Sequence, residues 1–166
     1  MRLRPAMPSD ASDIHRVHER AFPTAAEADL VDQLVRAGDA VISIVAIEDR
    51  AIVGHVLLSR MNVTADGRAL NALGLAPLAV VPEKTRHGIG SALVEAGIAE
   101  ARQAGIDMIF VLGDGQFYGR FGFDPDAARP FASRYAGPHF QALVLNPAIG
   151  SLQGGTANYA RAFDEL

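Results

Sequence analysis

Apolar residues in this chain recur with two rhythms, near every third or fourth position and near every second, and each change of rhythm marks an element. Ile14, Val17 and Ala21 keep helical spacing behind a cap at Ser9 or Asp10, and Phe22-Pro23 ends that helix. Thr24-Ala25-Ala26-Glu27 has capping-box form and leads into Leu30, Val31, Leu34 and Val35, with Gly38 as the stop. Val41 to Ile47 is rich in β-branched residues and predicts a strand. After a turn at Glu48-Asp49-Arg50, a second strand runs from Ile52 to Val63, with Gly54 marking a bulge. Asp66-Gly67 signals a hairpin, and a third strand follows from Ala69 to Val81. Pro77 lies inside it and has no N–H to donate, so the strand is interrupted or bulged there. Helical spacing returns from Gly88 to Ala104, with Ile89, Leu93, Val94, Gly97, Ile98 and Ala101 on one face. A buried strand, Ile106 to Leu112, a short helix, Gln116 to Arg120, and a late strand, Phe140 to Leu145, complete the pattern. This order predicts a mixed α/β sheet, mostly antiparallel, with one central βαβ unit.

Composition narrows the classes without changing that picture. The 166 residues fit a single domain, with a core over about residues 3–145 and a glycine-bearing tail from about 148 to 166 that carries no clear pattern. A net charge of −4 offers no general field for nucleic acid, so no nucleic-acid partner is expected. No apolar run reaches the roughly 18 residues a bilayer span requires, and the N-terminus lacks an apolar signal core; the expected setting is cytoplasmic, without membrane attachment. Cysteine is absent, which removes disulfides and thiolate nucleophiles. His15, His18 and Glu19 do not form a metal-binding string, and no metal is expected.

Candidate chemistry concentrates where Leu78-Ala79-Val80-Val81 ends at Pro82 and Gly88-Ile89-Gly90-Ser91 opens a helix. A helix start exposes amides without internal partners at the positive end of its dipole, glycines admit a phosphate close to the main chain, and Lys84 and Arg86 add charge. The stretch predicts a site for a pyrophosphate-bearing ligand. It is not a P-loop, because Lys84 precedes the glycines. Nor is it a dinucleotide fingerprint, because Leu93 stands where the third glycine belongs.

Leu78-Ala79-Val80, then Thr85-Arg86-His87-Gly88-Ile89-Gly90, then Phe117-Tyr118-Gly119-Arg120-Phe121-Gly122-Phe123 resemble in order and separation the GNAT acetyltransferase superfamily, in particular a bacterial subgroup of predicted acetyltransferases. That family has L-x-V, [Q/R]-x-x-G-x-[G/A] and an aromatic segment near F-Y-x-x-x-G-F; here Thr85 replaces the usual Gln or Arg. The resemblance implies a GNAT-type α/β fold whose central strands, Ala69–Val81 and Ile106–Leu112, splay around acetyl-CoA. Leu78, Ala79 and Val80 would meet the pantetheine arm and the thioester carbonyl. Arg86, His87, Gly88, Ile89, Gly90 and Ser91 would hold the pyrophosphate, mainly through backbone amides because of Thr85.

The resemblance further implies direct acyl transfer to a primary amine of a small molecule or peptide. No G-x-S-x-G elbow is present. Tyr118 occupies the family position of the acid that protonates the leaving thiolate, a step uphill by about 2 kcal/mol at ordinary thiol and phenol pKa values. Glu27 is the leading candidate for the base, with His55 and a water held by Asn71 as alternatives; Asp114 either shapes the site or caps the short helix. A coenzyme-binding sensor without turnover, or an enzyme using a longer acyl-CoA, remain alternative readings. The acceptor and the oligomeric state, a homodimer included, stay open.

Overall fold

β-Branched residues from Ala40 onward commit the chain to a sheet, and the amphipathic helices before and after must pack on its faces. The computed structural model describes residues 1–166. Its elements in order are β1 (Arg2–Pro5), α1 (Ala11–Ala21), α2 (Ala26–Arg36), β2 (Ala40–Glu48), β3 (Ala51–Arg60), β4 (Asn62–Ala65), β5 (Arg68–Leu70), β6 (Ala72–Val80), α3 (Ile89–Gln103), β7 (Met108–Leu112), α4 (Gly115–Tyr118), α5 (Pro125–Ala128), β8 (Phe131–Ala132), β9 (Phe140–Val144) and β10 (Gly155–Asn158). A six-stranded sheet has the order β1-β2-β3-β6-β7-β9, and a four-stranded sheet the order β5-β4-β10-β8. The large sheet is antiparallel except where β6 meets β7. No helix is long and apolar enough to cross a membrane.

Two predicted strands are each broken in two. The expected Ile52–Val63 strand ends at Arg60, and the expected Ala69–Val81 strand divides at Asn71, whose exposed residue passes its amide to the Asp107 carboxylate at 2.9 Å. The pieces cut off, β4 and β5, join β10 from the tail in the second sheet. Alternation hides these breaks because Val63 and Ala65 are buried in that second sheet as thoroughly as their neighbours are in the first. The expected bulge beside Gly54 is present: Ala46 faces Gly54 and Ile47 faces Ile52, leaving Val53 extra.

Helix α3 buries all six of its predicted inward positions. Gly54 admits it closely, since a Cβ there would meet Ile89 and Leu93 at 3.1 Å. The expected N-terminal caps form differently. Asp10 turns back to bind the Arg4 guanidinium at 2.7 and 3.0 Å and the Met7 amide at 2.7 Å, without capping α1. The Thr24 hydroxyl accepts from Ala26 at 3.3 Å, and Glu27 makes no reciprocal bond.

On the opposite face, α1 is pinned to the sheet by a buried polar chain. His18 Nε2 lies 2.8 Å from His55 Nδ1, and His55 Nε2 lies 2.8 Å from the Ser43 hydroxyl. Burial pushes His18 down to about 4, and burial with repulsion from His18 pushes His55 down to about 3. Both imidazoles are therefore neutral in the folded protein at pH values where the unfolded chain, titrating near 6.5, already binds protons. Stability is complete above about pH 6.5 and falls as pH drops towards 4, by up to about 1.4 kcal/mol per pH unit for each histidine. Denaturant unfolding at pH 7.5 and pH 5 should show this loss. A His55→Gln variant should flatten the dependence, and equal stability of the native chain at both pH values would contradict a neutral buried pair.

Candidate active site

The cleft originates in β6. Val56 pairs with Leu78 and Leu58 with Leu75, so Ala76 and Pro77 together face Leu57 in a bulge at the predicted place. The extra residue keeps Leu75 and Leu78 on one face while bending the strand. β6 pairs with β7 only from Ala72 to Gly74, opposite Met108 to Phe110; beyond that the two strands separate, and β7 continues along β9. On its other side Val81 donates to Val53 at 2.9 Å. Alternation of the antiparallel ladder then directs the main-chain groups of Ala79 towards β3 and those of Leu78 and Val80 towards the gap. Ala76, Leu78 and Val80 stay partly accessible, whereas Leu75, Pro77 and Ala79 are buried. The predicted trio thus divides: Leu78 and Val80 offer hydrogen-bonding groups to the cleft, and Ala79 serves the sheet.

At the mouth of the cleft the chain turns through Lys84 to Ser91. Arg86 and Gly88 are both left-handed, with φ of 64° and 81°, and His87 between them is not. Alternating signs of φ turn successive N–H groups into one concavity, a nest suited to an anion. The first bond into α3 runs from Ala92 to Gly88 at 3.0 Å, so none of the amides from Arg86 to Ser91 donates within the chain. These are the six residues predicted to hold the pyrophosphate. Val80, Lys84, Thr85, Arg86, Gly88, Gly90, Ser91, Phe117 and Arg120 line a groove of about 440 Å³.

The charge around this groove differs from the sequence expectation. Lys84 is paired with Glu48 at 2.9 Å, which holds the Glu48 carboxyl below its usual range and draws the lysine's charge away. Arg86 lines the groove, and it is joined by a second cation, Arg120, which sequence reasoning passed over although it stands inside the aromatic motif. Its guanidinium lies 5.0 Å from the centre of the Phe117 ring and 5.5 Å from that of Phe121, and it donates to the Ser91 hydroxyl at 3.2 Å. Rings on one side and a hydroxyl on the other fix its position.

Tyr118 ends α4, a single turn capped by Asp114, whose carboxylate accepts from the Gln116 amide at 2.9 Å. Of its two predicted roles, Asp114 performs the capping one. The Tyr118 ring covers Gly113, where a Cβ would meet Cε2 at 2.7 Å, and packs edge-on to Phe117 and Phe123. Gln141 donates to the Gly113 carbonyl at 3.2 Å and so ties this turn to β9. Burial pushes the Tyr118 phenol up to about 12, keeping it protonated at any physiological pH.

The base candidates separate clearly. His55 has both ring nitrogens engaged and a pKa of about 3, so it is a poor proton acceptor. Asn71 is exposed at the bend between β5 and β6, before the splayed part of β6. Glu27 is half-buried in the first turn of α2, and its carboxylate makes no hydrogen bond or ion pair. His15 joins α1 to α2 through Asp32 at 2.8 Å.

Residues 2–125 match the acetyltransferase (GNAT) domain family. An uncharacterized N-acetyltransferase of Escherichia coli, YhbS, is 32% identical over the full length of both chains. A second, YjhQ, is 40% identical over 72% of this chain and 67% of its own. The crystal structure of YhbS in complex with CoA superposes with a TM-score of 0.89 at 30% identity, covering 98% of this chain and 91% of that one. A GNAT family acetyltransferase from Brucella melitensis in complex with acetyl-CoA gives 0.80 at 32% identity, covering 98% and 97%. Matched in sequence and in fold across nearly its whole length, the chain belongs to the GNAT acetyltransferase family and is an acyltransferase.

Proposed function

We propose that this chain transfers the acetyl group of acetyl-CoA directly to a primary amine of a small molecule or peptide. The observation that carries the reading is the run of six partnerless amides, Arg86 to Ser91, continued by the open edge of β6. A pyrophosphate on the nest and the α3 dipole would satisfy the first, and pantetheine amides along Leu78 and Val80 the second. The complexes of the Escherichia coli and Brucella relatives with CoA and acetyl-CoA support this choice of ligand. Arg120, held over the groove, adds a cation beside the phosphates.

In this mechanism the neutral amine attacks the thioester carbon, and an N–H on the open edge of β6 meets the developing oxyanion. The nitrogen then gives its surplus proton to water, the C–S bond breaks, and CoA leaves as a thiolate that Tyr118 faces. With the phenol near 12 and a thiol near 8.5, complete proton transfer is uphill by roughly 5 kcal/mol, more than an unperturbed tyrosine would face. Tyr118 therefore acts chiefly as a hydrogen-bond donor that lowers charge on sulfur while the bond breaks. An amine of pKa about 10.4 is neutral in only about one molecule in 2,500 at pH 7, so a proton must leave before attack. Glu27, unpaired at the start of α2, is assigned that task through water.

Tyr118→Phe should lower kcat by roughly 10²–10³-fold while CoA affinity is kept, measured by thiol release and by calorimetry; an unchanged rate removes Tyr118 from the mechanism. In the native protein kcat/KM should rise with pH towards the pKa of the amine, and no descending limb should appear below pH 10, because Tyr118 stays protonated. A Cβ on Gly90 meets Leu78, Val80 and Phe117 only at 3.9 Å, so a larger side chain must extend into the groove. Gly90→Leu should weaken CoA binding by about tenfold or more while melting close to the native temperature. Equal affinity would place the pyrophosphate elsewhere.

A further inference from the structure

Tyr159 comes from the tail, which showed no pattern in sequence, and it reaches the point where the cleft begins. Gly74 is the last residue of β6 paired with β7. Where its side chain would stand lies the Tyr159 ring: a Cβ on Gly74 would meet Cδ1 at 2.7 Å and Cε1 closer still. The ring is set among Tyr135, Phe140 and Phe163, with centres 5.3, 6.5 and 4.8 Å away. One part of Tyr159 remains accessible, yet its hydroxyl is sealed from solvent and has no partner. Burial raises the pKa of that hydroxyl, and the neighbouring Tyr135 and Tyr118 hydroxyls raise it further. Tyr135 and Tyr159 pack against one another beside the fork of the strands.

We infer that the Tyr159 ring is the end wall of the acyl pocket and limits the donor to short acyl groups. The inference rests on the coenzyme reading above. A thioester arm anchored at Arg86–Ser91 and laid along Val80 and Leu78 reaches the bulge at Ala76-Pro77 with its sulfur. Its acyl group then points along β6 towards Gly74. An acyl chain extended by several methylenes meets the ring that occupies the space above Gly74. The wall is made by the ring's bulk, which already fills the place of a Gly74 side chain.

Binding of CoA, acetyl-CoA and hexanoyl-CoA to the native protein, Tyr159→Phe, Tyr159→Leu and Tyr159→Ala, followed by calorimetry, tests this without an acceptor. The native protein and Tyr159→Phe should bind hexanoyl-CoA at least about tenfold more weakly than acetyl-CoA. Tyr159→Leu and Tyr159→Ala should bring the two within about threefold of one another while CoA itself binds as before. Native protein that binds both thioesters equally overturns the inference, whether or not the variants fold. So do shortened variants that bind CoA normally and keep the native ratio. Failure of CoA itself to bind the native protein overturns the coenzyme reading and this assignment with it.

Discussion

The separation of β6 from β7 after Gly74 is the constraint on which the rest of the molecule depends. A strand in the middle of a sheet must satisfy hydrogen bonds on both edges, and beyond Gly74 β6 satisfies only the edge towards β3. The bulge at Ala76-Pro77 makes this possible, since it bends the strand while preserving the inward apolar positions Leu75 and Leu78. β7 is held on its own course by five residue pairs with β9. The result is a backbone edge inside the protein that is left for a ligand with its own amides and carbonyls.

The end of that edge and the start of α3 form one continuous polar surface. An anion seated there would meet oriented amides, a helix dipole and the guanidiniums of Arg86 and Arg120, in a chain of net charge −4. Arg120 illustrates how such a site is kept stiff. Two phenylalanine rings and the Ser91 hydroxyl hold it, and those rings belong to the same aromatic group that seats Tyr118. The proposed anion recognition and leaving-group chemistry therefore share one packed cluster.

The second sheet shows how far local pattern can mislead. Ile52–Val63 and Ala69–Val81 each read as one strand because apolar alternation passes through Met61 and almost reaches Asn71. The breaks become visible only once β10 lies beside β4, pairing Gly155 with Ala65 and Asn158 with Asn62. The tail resisted reading for the complementary reason. A four-residue strand that opens on a glycine has no periodicity to display, and its partners lie about ninety positions earlier in the chain. Lys84 and Arg120 make the same point for the site. One cation near the glycines is drawn off by Glu48, while another arrives from about thirty residues away.

Local physics sufficed for the three long helices, the inward face of α3, the bulge at Pro77 and the partnerless amides of Gly88 to Ser91. Each depends on residues within a turn or two of one another: periodic apolar spacing, a missing N–H, or glycine at a helix start. Tertiary structure alone decided which strand edges stay open, which cation reaches the groove, that His55 is locked against His18 and Ser43, and that Tyr159 stands over Gly74. Those features are set by contacts between segments far apart in the chain, where burial and pairing depend on the whole arrangement of the strands.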